Sequence, residues 1–338
     1  MQVNSDQAAE IISALFQAKL VPMLYGHPGI GKSSIYQQVA QKFNLKVIDL
    51  RLSQCEPTDL MGLPKHDGDR AMYSAFNTFP MEGDPIPEGY TGWMLLLDEF
   101  NSAPMEVQAA GYKLVLDRMV GQAKLHNNVA IGCAGNLESS NAITTPMGTA
   151  MQSRLVHLVL EVSQEKWLNW AIDNNIDHRI TDFIKFRPNL MNTFNPEHTE
   201  YTYACSRTWE FANRVMKHSD NPNIFRPMLT GILSEGVALE FVSYCQVYHS
   251  LPDLAKIATS PETVEVPSEP SILFAITGSL ANKMTLDNAA QYMKYINRLP
   301  AEFRVVTLRE AIRRTPKLIS NPAIQQWALN TGQEFFKN

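Results

Sequence analysis

The sequence predicts an α/β chain: a mostly parallel sheet with helices on both faces, followed by an all-helical second half. Three observations predict it. Short apolar runs alternate with helix-spaced patterns up to about residue 162. Beyond that point strand signal nearly vanishes while helical spacing continues. One early strand–helix junction also holds a glycine-rich turn ending in Lys32-Ser33.

Taken in order, Ile11, Ile12, Leu15 and Phe16 recur at the spacing of one helix face. Val21 to Tyr25, stopped by Gly26, reads as a buried strand. Ser33 to Phe43 reads as a helix. Lys46 to Leu50 (KVIDL) and Trp93 to Leu97 (WMLLL) read as the second and third strands. Pro104 opens a helix that runs to Asp117, since proline suits a first turn. Val129 to Ala134 is the fourth strand, and the alternating Arg154 to Val162 a fifth. The expected later helices are 164–175, 178–186, 207–218, 225–249, 270–283, 285–297, 301–315 and 320–336. Pro252, Pro261, Pro267 and Pro270 mark 250–270 as an irregular connector. Residues 55–92 carry Pro57, Pro64, Pro80, Pro85 and Pro87, and so long a segment within a compact domain reads as a functional insertion. Tyr73, Phe76 and Phe79 point to a hairpin inside it.

Composition narrows the class. With 338 residues, 45% hydrophobic and 19% charged, the chain is too apolar for disorder and long enough for about two domains. No apolar run approaches the ~18 residues of a membrane span. A net charge of −5 removes a global basic field for nucleic acid. Cys55, Cys133, Cys205 and Cys245 are too scattered for a zinc site or disulfide framework, and no basic segment with an apolar stretch opens the chain. Reduced thiols and a cytoplasmic location are expected.

The strongest chemical signal is Gly26-His27-Pro28-Gly29-Ile30-Gly31-Lys32-Ser33, a G-x-x-x-x-G-K-[ST] match between a strand and a helix. A triphosphate needs many donors around closely spaced charge. Glycines let consecutive amides turn inward, and the helix start adds its positive dipole end. Lys32 is expected to meet the β- and γ-phosphates, and the Ser33 hydroxyl to ligate Mg²⁺. His27 falls in the variable part of the loop and reads as shape rather than chemistry. The apolar strand ending in Asp98-Glu99 places two acids at the carboxyl edge of the sheet. Asp98 suits Mg²⁺ and Glu99 suits a general base that polarises water. Asn136, ending the strand from Val129, offers a neutral amide to orient that water or touch the γ-phosphate.

At these residues the chain resembles AAA+ ATPases of the MoxR type. The matches are GHPGIGKSS (26–34), LLLDEFNSAP (95–104), Gln108 with KLVLDRMVG (113–121), AGN (134–136), AMQSRL (150–155), IDHRITDFIKFRPNL (176–190) and SRTWEF (206–211). They cover roughly residues 5–285, and they are closest to the bacterial and phage group that accompanies von Willebrand factor A-domain proteins. The resemblance implies a P-loop AAA+ core over 1–162 with an insert at about 55–92, a helical lid over 163–250 and a C-terminal helical extension over 251–338. It implies ATP/ADP and Mg²⁺ as cofactors, with His27 to Ser34, Asp98 and Arg207 binding nucleotide, Ser33 and Asp98 the metal. It further implies a hexameric ring in which Arg154 reaches the neighbour's γ-phosphate, while Arg207 touches nucleotide in its own subunit from the start of a lid helix. Read locally, Ser206 is a cap for that helix, which also accounts for the motif without nucleotide. The partner implied is a protein client, with a von Willebrand factor A-domain protein as candidate. Leu155 departs from the phenylalanine more usual there, and His126-Asn127-Asn128 reads as a polar hairpin tip.

Two other readings compete. Arg304, Arg309, Arg313, Arg314 and Lys317 would suit a nucleic-acid motor, with Arg309, Arg313 and Lys317 on one helix face. A small-molecule kinase would need an acceptor pocket that the residues do not suggest.

Overall fold

The computed structural model describes residues 1–219 and 222–335. Contacts divide the chain into two units, Met1–Ser163 with Asn195–His198, and Gln164–Phe194 with the residues from Thr199 onward.

The first unit contains strands β1 (Gln2–Val3), β2 (Val21–Gly26), β3 (Leu45–Arg51), β4 (Leu63–Asp67), β5 (Arg70–Ser74), β6 (Gly92–Asp98), β7 (Met119–Val120), β8 (Ala123–Lys124), β9 (Val129–Asn136) and β10 (Leu155–Leu160). Its helices are α1 (Ser5–Gln17), α2 (Lys32–Lys42), α3 (Pro57–Met61), α4 (Met105–Leu116) and α5 (Thr149–Gln152). Six strands form a parallel sheet in the order β1-β10-β2-β9-β6-β3. Side chains alternate across it, as a two-residue period demands. Met23, Trp93, Leu95, Leu97, Ile131 and Cys133 enter one core with α3 and α4. Leu24, Met94, Leu96 and Ala134 enter the other with α1 and α2. Burial on both faces is why these strands read as continuous apolar runs. Asn4 caps α1: its side chain accepts from the Gln7 amide at 3.0 Å, and Gln7 accepts in return from the Asn4 amide at 3.1 Å.

Residues 55–92 contain α3 and the antiparallel hairpin β4–β5, with Tyr73 in β5 and Phe79 buried in the core. His126-Asn127-Asn128 is not a hairpin tip. The tip is at Gly121 and Gln122 between β7 and β8, and 126–128 form the turn into β9. The His126 ring sits edge-on to Trp93 at 5.0 Å, and the Asn128 side chain donates to the Thr91 carbonyl at 3.0 Å, so the turn closes the base of the sheet.

The second unit is helical: α6 (Gln164–Asp173), α7 (His178–Phe186), α8 (Ser206–His218), α9 (Pro222–Leu233), α10 (Glu235–Val247), α11 (Leu254–Thr259), α12 (Pro270–Lys283), α13 (Ala289–Ile296), α14 (Ala301–Arg314) and α15 (Pro322–Phe335). The single helix expected over 225–249 is broken at Ser234, whose φ of 78° leaves the helical region. The connector 250–270 contains α11, capped by Asp253 through the Ala255 amide at 2.8 Å. Cys205, not Ser206, is the N-cap of α8, and the Thr208 hydroxyl takes its amide at 2.8 Å. Of the helix expected at 320–336, residue 336 lies outside the described residues.

A buried charge network joins α7, α14 and the turn that follows α10. Lys185 lies between Asp182, at 3.2 Å, and Glu310, while Arg314 holds Glu310 from the other side at 2.7 Å. The Tyr248 hydroxyl donates to Asp182 at 2.9 Å. Burial pushes the Asp182 carboxyl up to about 7, against the pull of Lys185. Burial acts the same way on Glu310, but Lys185 and Arg314 outweigh it and hold that carboxyl low. Breaking such a network strands a charge in low dielectric. Gly278 of α12 leaves the space Asp182 occupies: a Cβ there would stand 1.7 Å from the Asp182 Oδ2. Gly278→Ala is therefore expected to destabilise this unit by about 3 kcal/mol. Urea unfolding followed by the fluorescence of Trp167 and Trp209, both in this core, measures it. An unchanged midpoint would show that the network yields without cost.

The basic stripe of α14 is largely committed to structure. Arg313 pairs with Asp173 of α6 and Arg304 donates to the Leu299 carbonyl, each at 2.8 Å. The helix ends at Arg314, so Lys317 does not share its face. Among the described residues no helix is long and apolar enough to cross a membrane.

Candidate active site

Parallel pairing brings the carboxyl ends of β2, β9 and β6 side by side. Gly26 pairs with Asn136, and Leu97 with Cys133 one residue before Asp98. This is the edge at which open α/β sheets bind ligands. The chain turns out of β2 through Gly29 and Gly31, with φ of 78° and 98°, values open to glycine at little cost. α2 then starts at Lys32 with no side chain capping it and no acid in its first turn. A helix start without a side-chain cap or an acid is suited to an anion.

Lys32 is only 9% exposed. A buried ammonium needs acceptors. Its Nζ has the Gly26 carbonyl at 2.9 Å, the His27 carbonyl at 3.0 Å and Asn136 Oδ1 at 3.1 Å. The neighbouring Ser33 hydroxyl donates to Asp98 Oδ2 at 2.6 Å. Asp98 Oδ1 in turn accepts from the Glu99 amide at 2.8 Å. Glu99 has φ of 54°, unusual for a side chain of its size, and its carboxylate accepts from the Ser53 hydroxyl in the turn after β3.

His27 Nδ1 lies 2.8 Å from the Ser140 Oγ, tying the loop after β2 to the turn after β9. Burial, and then the charge of Lys32, lower the His27 pKa and favour its neutral ring. Pro28 is half-buried in the loop, Ile30 packs on the α1/α2 core, and Ser34 is exposed on the first turn of α2. The structure thus gathers Lys32, Ser33, Asp98, Glu99 and Asn136. Arg154 is not gathered with them: it is exposed between α5 and β10, and its guanidinium donates to the Ala150 carbonyl at 2.6 Å. Arg207 is exposed in the first turn of α8, in the second unit.

Three residues escaped sequence reasoning: Ser53 and Ser140, described above, and Asn101. Asn101 is 6% exposed, and its side chain pairs with both backbone groups of Asn136, at 3.0 and 2.7 Å. Only Asn101 carried a local signal, as the first amide after the two acids in LLLDEFNSAP.

Comparison with known proteins bears on this same stretch. Residues 22–136 match the family described as ATPase family associated with various cellular activities (AAA). A 59-residue segment is 41% identical to the replication factor C large subunit of Aeropyrum pernix, covering 15% of this chain and 12% of that protein. Among solved structures, NtrX from Brucella abortus in complex with ADP superposes with a TM-score of 0.39 and 13% identity, over 97% of this chain and 68% of that one. A mutant of RuvB from Thermotoga maritima does so with a TM-score of 0.40 and 13% identity, over 87% and 86%. The phosphate-loop strand, both acids and Asn136 all fall inside the stretch, residues 22–136, that matches this AAA family.

Proposed function

We propose that the chain hydrolyses ATP, working as a ring of identical subunits that remodels a protein partner. The observation that carries this reading is the meeting, at one sheet edge, of a Ser33 hydroxyl and an Asp98 carboxylate at 2.6 Å beside Lys32 and Asn136.

The uncapped start of α2 and the loop amides bind the phosphates. Lys32 exchanges its present oxygen partners for phosphate oxygens, an exchange of like for like. Glu99, free to face solvent once Ser53 releases it, takes a proton from the attacking water. Asn136 holds that water or the γ-phosphate by a neutral amide. Ser33 and Asp98 fit Mg²⁺: a hydroxyl and a carboxylate in contact are the small protein share of a shell completed by phosphate and water oxygens. When bound, the metal neutralises charge on the β- and γ-phosphates.

Arg154, exposed and with donors beyond the one on Ala150, suits a neighbouring subunit's phosphate. Arg207 suits nucleotide in its own subunit, within a lid over 163–250 that precedes an extension over 251–338. The protein client follows from the MoxR-type resemblance, with a von Willebrand factor A-domain protein as the candidate. The thiols of Cys55, Cys133, Cys205 and Cys245 are all free, which suits the reducing cytoplasm. The net charge of −5 and the Arg313–Asp173 pair weigh against the alternative of a nucleic-acid motor.

Phosphate release from ATP and Mg²⁺ tests the reading. Specific activity is expected to fall on dilution as rings dissociate. Arg154→Ala is expected to lose about 10³ in turnover while still binding ATP. Activity strictly proportional to protein concentration and indifferent to Arg154→Ala would remove the ring, and no release at any concentration would remove the ATPase.

A further inference from the structure

We propose that Asn101 is a positioning residue of this site, setting the side chain of Asn136 where hydrolysis needs it. The proposal rests on the ATPase reading and adds to it a residue that never touches nucleotide.

Strand β6 ends at Asp98, so from there β9 loses its backbone partner on that side. The side-chain amide of Asn101 takes over as a substitute rung. Its Oδ1 accepts from the Asn136 amide at 3.0 Å, and its Nδ2 donates to the Asn136 carbonyl at 2.7 Å. Both backbone groups of one residue are thus fixed by one planar group, which sets the φ/ψ from which the Asn136 side chain projects toward Lys32. Asn101 is itself anchored, since its carbonyl accepts from the Thr145 amide at 2.6 Å. A second feature is shaped around it. Gly135 leaves room for the amide: a Cβ there would lie 2.3 Å from Asn101 Oδ1 and 2.6 Å from the Met23 Cε. A merely space-filling residue would not need both partners of the Asn136 peptide groups and a cleared approach.

The test compares steady-state ATP hydrolysis by the full chain with Asn101→Ala, Asn101→Asp, Gly135→Ala, Asn136→Ala and the double variant Asn101→Ala/Asn136→Ala. Asn101→Asp keeps the shape and one acceptor but sets a carboxylate oxygen against the Asn136 carbonyl. Gly135→Ala displaces the amide with Asn101 unchanged, and so stands in if Asn101→Ala folds poorly. Each single change at 101 or 135 is expected to lower kcat about tenfold to a hundredfold, with KM within about threefold of the parent. The double variant should be no slower than Asn136→Ala alone, because Asn101 acts through Asn136. A kcat unchanged at both 101 and 135, or losses at 101 and 136 that multiply, overturns the proposal while leaving the ATPase standing. Absence of turnover in the unaltered protein overturns the ATPase reading and this proposal together.

Discussion

Glu99→Gln is expected to bind ATP as tightly as the unaltered protein and to turn it over about a thousandfold more slowly. Glutamine keeps the length and planarity of the side chain. It keeps an oxygen for the Ser53 hydroxyl, which reaches Glu99 from the turn after β3. It loses the negative charge and the site for a proton, and water attack needs both. Binding is spared because the phosphates are held elsewhere, by the start of α2 and by Lys32. Folding is spared as well. Asp98 and Glu99 crowd the end of β6, and Asp49 on the adjacent strand has its carboxyl pushed up by burial and then by the charge of Asp98, with Arg51 pulling it down and Glu99 adding a smaller push. Removing one charge from three relieves repulsion, so the melting temperature should hold or rise slightly. Phosphate release paired with fluorescent-nucleotide titration separates these effects. Turnover within tenfold of the parent would clear Glu99 of the base role.

The parts of this protein legible in its sequence are those whose cause is local. Trp93 to Leu97 reads as a strand because both of its faces are buried, a property carried by the run itself. The phosphate loop reads because strand, glycines, Lys32 and helix are consecutive. β1 does not read: two residues, Gln2 and Val3, are a strand only because β10 pairs with them. The break at Ser234 is carried by weak signals that the apolar periodicity of 225–249 overrides: Gly231 and Gly236 flank it, and Ser234 itself takes a φ of 78°. The same division holds at the site. Ser53, Asn101 and Ser140 each act on a partner 46, 35 and 113 residues away, so no window of sequence contains both halves of the contact. Each is a small polar side chain of a kind common in turns, and its meaning lies in the strand order that places one turn beside another.

Lys32→Ala is expected to weaken ATP binding ten- to a hundredfold or more and to abolish turnover at ordinary nucleotide concentrations. A charge-assisted hydrogen bond is worth about 1.5–3 kcal/mol, and about 1.4 kcal/mol is a factor of ten. The ammonium now satisfies two loop carbonyls and Asn136 Oδ1 at 2.9 to 3.1 Å. Truncation also leaves those three oxygens without it, which lowers stability as well as binding. A second consequence separates an electrostatic cause from collapse of the loop. His27 is held below its ordinary pKa by burial and, after that, by Lys32. Without the lysine one of those two causes is gone, and the His27 ring should titrate at higher pH than in the parent while its contact with Ser140 persists. Proton NMR titration of the imidazole, alongside calorimetric nucleotide binding, reads both. Retained affinity would mean that the main-chain cradle alone holds the phosphates. Lost affinity together with loss of the His27–Ser140 contact would mean that the loop had collapsed, since collapse also removes the burial that lowers the His27 pKa.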